Sequence, residues 1–256
     1  MKKPTPMQLT VVGSQQVTPN MQRVFLQGDA LADFPLECEG SYIKFLFDAT
    51  GNTDLSAITD GSRPVMRTYT IRRFSPSICA IEVDFVRHMT QDNKSGFATR
   101  WAMSAKVGDK VCIAGPGKIK EINTDTDWVF MVADMTALPA LSAKLRQLSS
   151  EAKGYAVIKV AEADDIQKID LPENVQLIWL TESQSLSKSV KSLPWLDGKV
   201  SIWAACEFDD MRELRQYFKN EKEVAQESIY ISSYWKKGVT EDGHKAFKQL
   251  DAKKER

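Results

Sequence analysis

Trp128-Val129-Phe130-Met131-Val132-Ala133 is an uninterrupted apolar run. A strand with one solvated face alternates polar and apolar residues, whereas this run fits a strand buried on both faces, as in a parallel sheet. A helical stretch follows at Ala137 to Leu148, with Leu138, Leu141, Leu145 and Leu148 on one face. The alternation then repeats. Strands at Tyr155 to Val160, Val175 to Leu180, Val200 to Ala205 and Ile229 to Ser233 sit between helical segments such as Phe208 to Phe218. Such repetition predicts a parallel sheet with helices on both faces. Its first half is abbreviated, because Ala161 to Pro172 is too irregular for a helix.

Upstream the rhythm differs. Gln8 to Val12, Met21 to Leu26 and Tyr42 to Phe47 mix β-branched or aromatic residues with polar ones, and turns follow at Gly28-Asp29 and Asp48 to Asn52. Met66 to Phe74 and Ile78 to Val86 read as a hairpin around Ser75-Pro76-Ser77, and Val111 to Ala114 adds a strand after Val107-Gly108-Asp109. Six short strands at this spacing predict a small antiparallel barrel. The fold class is therefore β plus α/β. The expected domains are a barrel over 1–123, a parallel-sheet domain over 124–233 and a tail over 234–256 containing a short helix.

Composition excludes several alternatives. With 34 basic and 34 acidic side chains, the chain lacks the basic excess that phosphate backbones select, so nucleic acid is not an expected partner. No stretch approaches the roughly 18 apolar residues that span a bilayer, and the start of the chain has no hydrophobic signal segment. Cys38, Cys79, Cys112 and Cys206 are scattered without a CxxC pair, which gives no pattern for zinc, iron–sulfur or disulfides. Reduced thiols in a cytoplasmic protein are expected.

Four stretches carry candidate chemistry. Arg67-Thr68-Tyr69-Thr70-Ile71-Arg72 lies in a barrel strand, with Arg67, Tyr69 and Ile71 on one face and Thr68, Thr70 and Arg72 on the other. A cation, an aromatic and a small hydroxyl are the groups a flavin cofactor needs; an ordinary strand with solvated arginines fits equally well. His88 to Trp101 runs through Ser95-Gly96 into a helix at Ala98 to Ala105. A glycine loop entering a helix N-terminus presents free N–H groups to an anion such as a pyrophosphate. A lone His such as His88 is more often structural than catalytic, and Trp101 reads as core. Ala133-Asp134-Met135-Thr136-Ala137-Leu138-Pro139-Ala140 is a tight turn at the carboxyl end of the buried strand, where open α/β sheets bind ligands. The Gly-x-Gly-x-x-Gly fingerprint is absent, and Thr136 could cap the helix or bind a phosphate. Ala204-Ala205-Cys206-Glu207 ends a later strand similarly. Finally, Tyr234-Trp235-Lys236-Lys237-Gly238 leads towards Glu241-Asp242 and a helix with Lys245 and Lys248. A planar ligand could stack on Tyr234 or Trp235, or the pair could anchor the tail.

In this order and spacing the four pieces resemble the siderophore-interacting protein family, FAD-dependent ferric-siderophore reductases of the ferredoxin-reductase-like superfamily. The resemblance covers roughly Gln8 to Lys248. The family's Arg-x-Tyr-Thr-x-Arg strand is matched by Arg67, Tyr69, Thr70 and Arg72. Its His-led segment ending Gly-Pro-Ala-Ser-x-Trp-Ala is matched by His88 and by Gly96-Phe97-Ala98-Thr99-Arg100-Trp101-Ala102. Its Gly-Asp-Glu-Thr-Ala-Leu-Pro-Ala turn is matched by Ala133 to Ala140, with Ala133 for the glycine and Met135 for the glutamate. Its closing Tyr-Trp-Arg-x-Gly is matched by Tyr234 to Gly238.

The resemblance implies an FAD-binding barrel followed by an NAD(P)H-binding-like domain. It implies reduction of a cytosolic ferric siderophore to release ferrous iron, with NADH, NADPH or ferredoxin as electron donor. Arg67, Tyr69, Thr70, Arg72, His88, Gly96, Phe97, Ala98, Thr99, Thr136, Ala137, Tyr234 and Trp235 are the implied cofactor-binding residues. Lys44, Lys236 and Lys248 are implied substrate contacts for an anionic chelate, and no side chain is needed as metal ligand or catalytic group. The competing readings are a general NAD(P)H:flavin or ferredoxin-type reductase with another acceptor, and a flavin-free scaffold that kept the fold.

Overall fold

The computed structural model describes residues 6–56, 58, 63–88, 96–117, 122–123 and 125–254. The chain divides into two units, residues 1–119 and 120–256.

The first unit holds strands β1 (Met7–Thr18), β2 (Met21–Gln27), β3 (Tyr42–Phe47), β4 (Val65–Thr70), β5 (Arg73–Ser75) and β6 (Ala80–Val86). Helix α1 (Phe97–Ser104) and strand β7 (Lys110–Gly117) follow. The sheet is antiparallel, in the order β4-β3-β7-β1-β2-β6-β5. It has seven strands where the sequence predicts six, because the single strand expected over Met66 to Phe74 changes partner at Ile71-Arg72. Before the break Tyr69 pairs with Ile43 of β3; after it Phe74 pairs with Ile81 of β6. β4 and β5 stand at opposite ends of the strand order yet are joined by two residues, so the sheet closes on itself as a barrel. Alternation of side chains is blind to which strand is the partner, so the sequence pattern passes over the break without a mark.

The barrel interior is apolar. Ile43, Phe45, Phe47, Val83, Phe85, Val111 and Ile113 are buried in one cluster, and α1 contributes Phe97, Ala98 and Ala102 to it. Phe45, Phe85 and Trp101 lie with ring centroids 5.2–5.8 Å apart in tilted and edge-on contacts, the arrangement that ring quadrupoles favour. Trp101 thus belongs to the wall of the core.

The second unit holds β8 (Trp128–Asp134), α2 (Leu138–Gln147), β9 (Gly154–Lys159), β10 (Val175–Leu180) and α3 (Leu186–Ser192). It continues with β11 (Val200–Glu207), α4 (Phe208–Gln216), β12 (Ile229–Trp235) and α5 (Glu241–Lys254). The sheet is parallel, in the order β10-β9-β8-β11-β12. Every residue of β8 is buried. Trp128, Phe130 and Val132 share a core with Leu186 and Val190 of α3 and Met211 and Leu214 of α4. Val129, Met131 and Ala133 point to the opposite face and are buried just as deeply. The irregular stretch after β9 forms only a short 3-10 turn at Ala163–Asp165.

Two boundaries differ from the sequence reading. β12 runs two residues past Ser233, so Tyr234 and Trp235 belong to the sheet. The helix beyond it is not short: α5 has 14 residues, the longest among those described. Its polar composition hides it: His244 is its one buried side chain among the described residues, Lys248 bonds to β12 from the surface, and Phe247 lies 6.2 Å from Phe208 between ring centroids. No helix among the described residues is long and apolar enough to cross a membrane.

Candidate functional site

In the barrel unit the site is built around the entry to α1. Gly96 precedes the helix in the left-handed region (φ 67°, ψ 21°), and no side chain caps the first turn. A side-chain-bearing residue is strained there, whereas glycine is not. Phe97, Ala98 and Thr99 are buried, so what they offer a ligand is backbone N–H and the positive end of the helix dipole. Two guanidinium groups converge on this turn. Arg67 of β4 and Arg100 of α1 stand 5.8 and 5.3 Å from the centre of the Phe97 ring. On another side Gly51 (φ 92°) lies so close that a Cβ would come within 2.6 Å of Phe97 Cδ1. A hollow of about 270 Å³ opens there beside Arg100 and Trp101.

His88 and Thr99 are joined through Thr99 Oγ1, which lies 3.3 Å from His88 Nδ1 and donates to the Val86 carbonyl at 3.2 Å. His88 Nδ1 is itself 3.2 Å from that carbonyl. This ties the end of β6 to α1. Residues 89–95 of the same loop lie outside the described residues.

Within β4 Arg67 and Tyr69 share one face as alternation predicts, but the strand ends at Thr70, and Ile71 and Arg72 lie beyond it with Thr70 and Ile71 both buried. Tyr69 packs inward, 5.6 Å from Phe45 and 4.2 Å from Phe85 between ring centroids. Thr70 is on the other face, opposite Tyr42, and Lys44 is opposite Thr68. Arg72 is engaged elsewhere: its Nε lies 2.9 Å from Asp84 Oδ2. Asp84 also takes Arg23 as a fork, at 2.7 and 3.0 Å. Asp84 was not singled out in the sequence; an acid on the polar side of an alternating strand carries no local sign of the two arginines that meet it.

In the α/β unit the carboxyl edge of the sheet is organised by Asp134, the last residue of β8. Its Oδ1 accepts from Thr136 Oγ1 at 2.6 Å, Thr136 N at 2.9 Å and Ala137 N at 3.3 Å. Its Oδ2 accepts from Trp235 Nε1 at 2.7 Å. Burial pushes the Asp134 carboxyl above its usual range, and these four donors oppose that shift. Thr136 and Ala137 thus meet at this edge with their donors turned to Asp134. The bond to Trp235 crosses β11, because β11 lies between β8 and β12. A bulge makes the reach possible: Cys206 pairs with Ser233 and Glu207 with Trp235, leaving Tyr234 without a partner residue on β11. Trp235 keeps 39% of its surface exposed. Burial, with Tyr230 close by, pushes the Tyr234 hydroxyl well above its ordinary pKa. Burial and neighbouring acids do the same for the Cys206 thiol, which makes it a poor nucleophile.

The tail lysines are both engaged. Lys236 Nζ is 3.0 Å from Asp209 Oδ2 and lies 4.7 Å over the Phe208 ring. Lys248 Nζ donates to Ser232 Oγ and to the Ser233 carbonyl, both at 3.0 Å, and burial lowers its pKa. Beside it His244 Nε2 is 2.8 Å from Ser233 Oγ, both residues being buried. Lys44, half-buried on β3, makes no salt bridge among the described residues.

The donor set fits a dinucleotide flavin: an uncapped helix turn and two guanidiniums suit a pyrophosphate, beside a strand carrying Tyr69 and Thr70. Comparison with known proteins agrees. Residues 10–119 match the siderophore-interacting FAD-binding domain and residues 126–238 match the siderophore-interacting protein model. The chain is 31% identical over 254 residues to the ferric vibriobactin reductase ViuB of Vibrio cholerae, covering 93% of this chain and 92% of that protein. It is 25% identical to the NADPH-dependent ferric-chelate reductase of Escherichia coli, over 89% and 92% of the two chains. The crystal structure of the siderophore-interacting protein SipS from Aeromonas hydrophila superposes with a TM-score of 0.84 at 30% identity, covering 97% of this chain and 99% of that one. Two matched domains, near-complete shared length and a shared fold place this chain in the siderophore-interacting protein family.

Proposed function

We propose that this protein is an FAD-dependent ferric-siderophore reductase that releases iron as Fe(II) in the cytoplasm. The uncapped first turn of α1, with Arg67 and Arg100 beside it, is the observation that carries the reading. The activities named for the Vibrio and Escherichia relatives support it. FAD, when bound, takes two electrons together from a donor and passes them on singly.

The chain's own residues bind and orient. Arg67, Arg100 and the first-turn N–H groups of α1 would hold the cofactor pyrophosphate. Tyr69, braced by Phe45 and Phe85, would present an aromatic wall, and Thr70 a hydroxyl on the neighbouring face. Thr99 and His88 fix the entry to α1. Arg72 acts through its pair with Asp84 in setting the strand. Lys44 is the cation best placed to attract an anionic ferric chelate, since Lys236 is matched by Asp209 and Lys248 is turned to the β12 backbone. The ferric chelate is substrate. One electron converts Fe(III) to Fe(II), which hard oxygen ligands hold far less tightly, so two ferric chelates are reduced for each hydride taken.

A nicotinamide dinucleotide is the donor this reading favours, on the α/β unit and the NADPH-dependent relative. A ferredoxin-type donor is the second reading, favoured by the commitment of the Thr136 and Ala137 donors to Asp134. The test is anaerobic reduction of the FAD-loaded protein, then addition of a ferric siderophore with a ferrous chelator. Reoxidation of the flavin with matching appearance of Fe(II) is expected. Reoxidation without Fe(II) would assign another acceptor, and failure to take up FAD would overturn the reading.

A further inference from the structure

Open α/β sheets bind ligands outside the carboxyl ends of their strands, where the strand order reverses. In this sheet that point lies between β8 and β11. In dinucleotide-binding domains the N–H groups of the first strand-to-helix turn meet the pyrophosphate there. Here the same donors already have an anionic partner within the chain. Thr136 N, Thr136 Oγ1 and Ala137 N all point at Asp134 Oδ1, at 2.6–3.3 Å. The second oxygen is held by Trp235 Nε1 at 2.7 Å. The carboxylate is buried and its four partners are all donors, which leaves it nothing to gain by turning outward. A phosphate arriving at the turn would find its hydrogen-bond donors occupied and a like charge behind them.

We propose that Asp134 is a specificity-determining residue for the electron donor: it fills the N-terminal turn of α2 with a resident carboxylate and excludes a dinucleotide pyrophosphate from that turn. This rests on the reductase reading only for its consequence. A nicotinamide donor is then read by its dihydronicotinamide and adjoining ribose, so dihydronicotinamide riboside reduces the flavin nearly as well as NADH, within about threefold in kcat/KM. Trp235 belongs to the same device. Its indole N–H holds the second carboxylate oxygen, and the bulge at Tyr234 places the ring over the end of β11.

The test reads the turn directly, whatever the enzyme reduces. Amide NMR of the FAD-loaded full chain is recorded while ADP-ribose, and separately inorganic pyrophosphate, is added. The Thr136 and Ala137 resonances are expected to stay in place to millimolar probe. Asp134→Ala frees the three donors, so in that variant both resonances should shift saturably with pyrophosphate, at least tenfold more tightly than in the parent. If Asp134→Ala does not fold, Asp134→Asn serves. Its single carbonyl oxygen cannot satisfy both the turn and the Trp235 N–H, and its charge is gone, so a weaker gain in the same direction is expected. Saturable shifts of Thr136 and Ala137 in the parent protein overturn the proposal, as does a folded variant with no gain. Loss of the reductase reading would show instead as absent Fe(II) production, with these shifts unaffected.

Discussion

Tyr69 of β4 and Phe85 of β6 face each other with ring centroids 4.2 Å apart, although their strands stand near opposite ends of the sheet. That contact closes the barrel from inside, and it braces the tyrosine of the proposed flavin strand. Phe85 is fully buried. Phe85→Ala is expected to lower stability by about 3–5 kcal/mol and to weaken FAD retention, because Tyr69 loses its support. Urea denaturation followed by flavin fluorescence measures both; an unchanged midpoint would mean that the closure is held elsewhere.

Asp84 is nearly inaccessible and meets Arg23 and Arg72, whose side chains are 16% and 12% exposed. Removing the acid takes a buried carboxylate from both guanidiniums, although Arg23 keeps Glu82 at 3.4 Å. Asp84→Ala should therefore be destabilising by about 3–5 kcal/mol, and Asp84→Asn by less, since it keeps one acceptor for the arginine fork. Comparing the two denaturation midpoints separates lost charge from lost hydrogen bonds.

For His244 the direction of the pH effect follows from its surroundings. Burial, with Lys248 and Lys236 nearby, holds its pKa below the ordinary 6.5, while Glu241 and Glu207 oppose that. The unfolded chain therefore binds a proton that the folded chain refuses. Stability falls as pH drops through 6.5, and levels off once pH passes below the folded value. His244→Gln, which can still bond to Ser233, should flatten that slope between pH 7 and 5 in thermal melts. A slope that persists in the variant would assign it to other groups.

Arg67→Ala removes one of the two cations at the entry to α1. A charge-assisted bond of about 1.5–3 kcal/mol corresponds to roughly 10–140-fold weaker FAD binding. Equilibrium titration of apoprotein with FAD checks it, and Arg100→Ala should behave similarly if both guanidiniums face the pyrophosphate.

Lys44→Ala leaves the flavin strand intact and removes the cation proposed to meet the ferric chelate. KM for an anionic ferric siderophore should rise about three- to tenfold at low salt, with kcat little changed. The difference should shrink as ionic strength rises, because screening weakens both proteins' attraction. Equal effects on an uncharged chelate would point to packing instead.

Burial pattern follows period, so the class of both units is legible in the chain: an uninterrupted run such as Trp128 to Ala133 suits a sheet covered on both faces, and alternation as at Ile81, Val83 and Phe85 suits an antiparallel strand with one apolar face. The Arg67–Tyr69–Thr70 strand and the Gly96 entry to α1 are legible as candidates, because there the groups lie within one short stretch. Which of those groups meet one another is a matter of tertiary contact. The change of partner at Ile71-Arg72, the capture of Arg72 by Asp84, the pairing of Lys236 with Asp209 and the bond from Trp235 to Asp134 all join residues far apart in the chain. Hydrogen bonds and ion pairs are set by distance in space, and local pattern records only which groups could form them, not which ones meet.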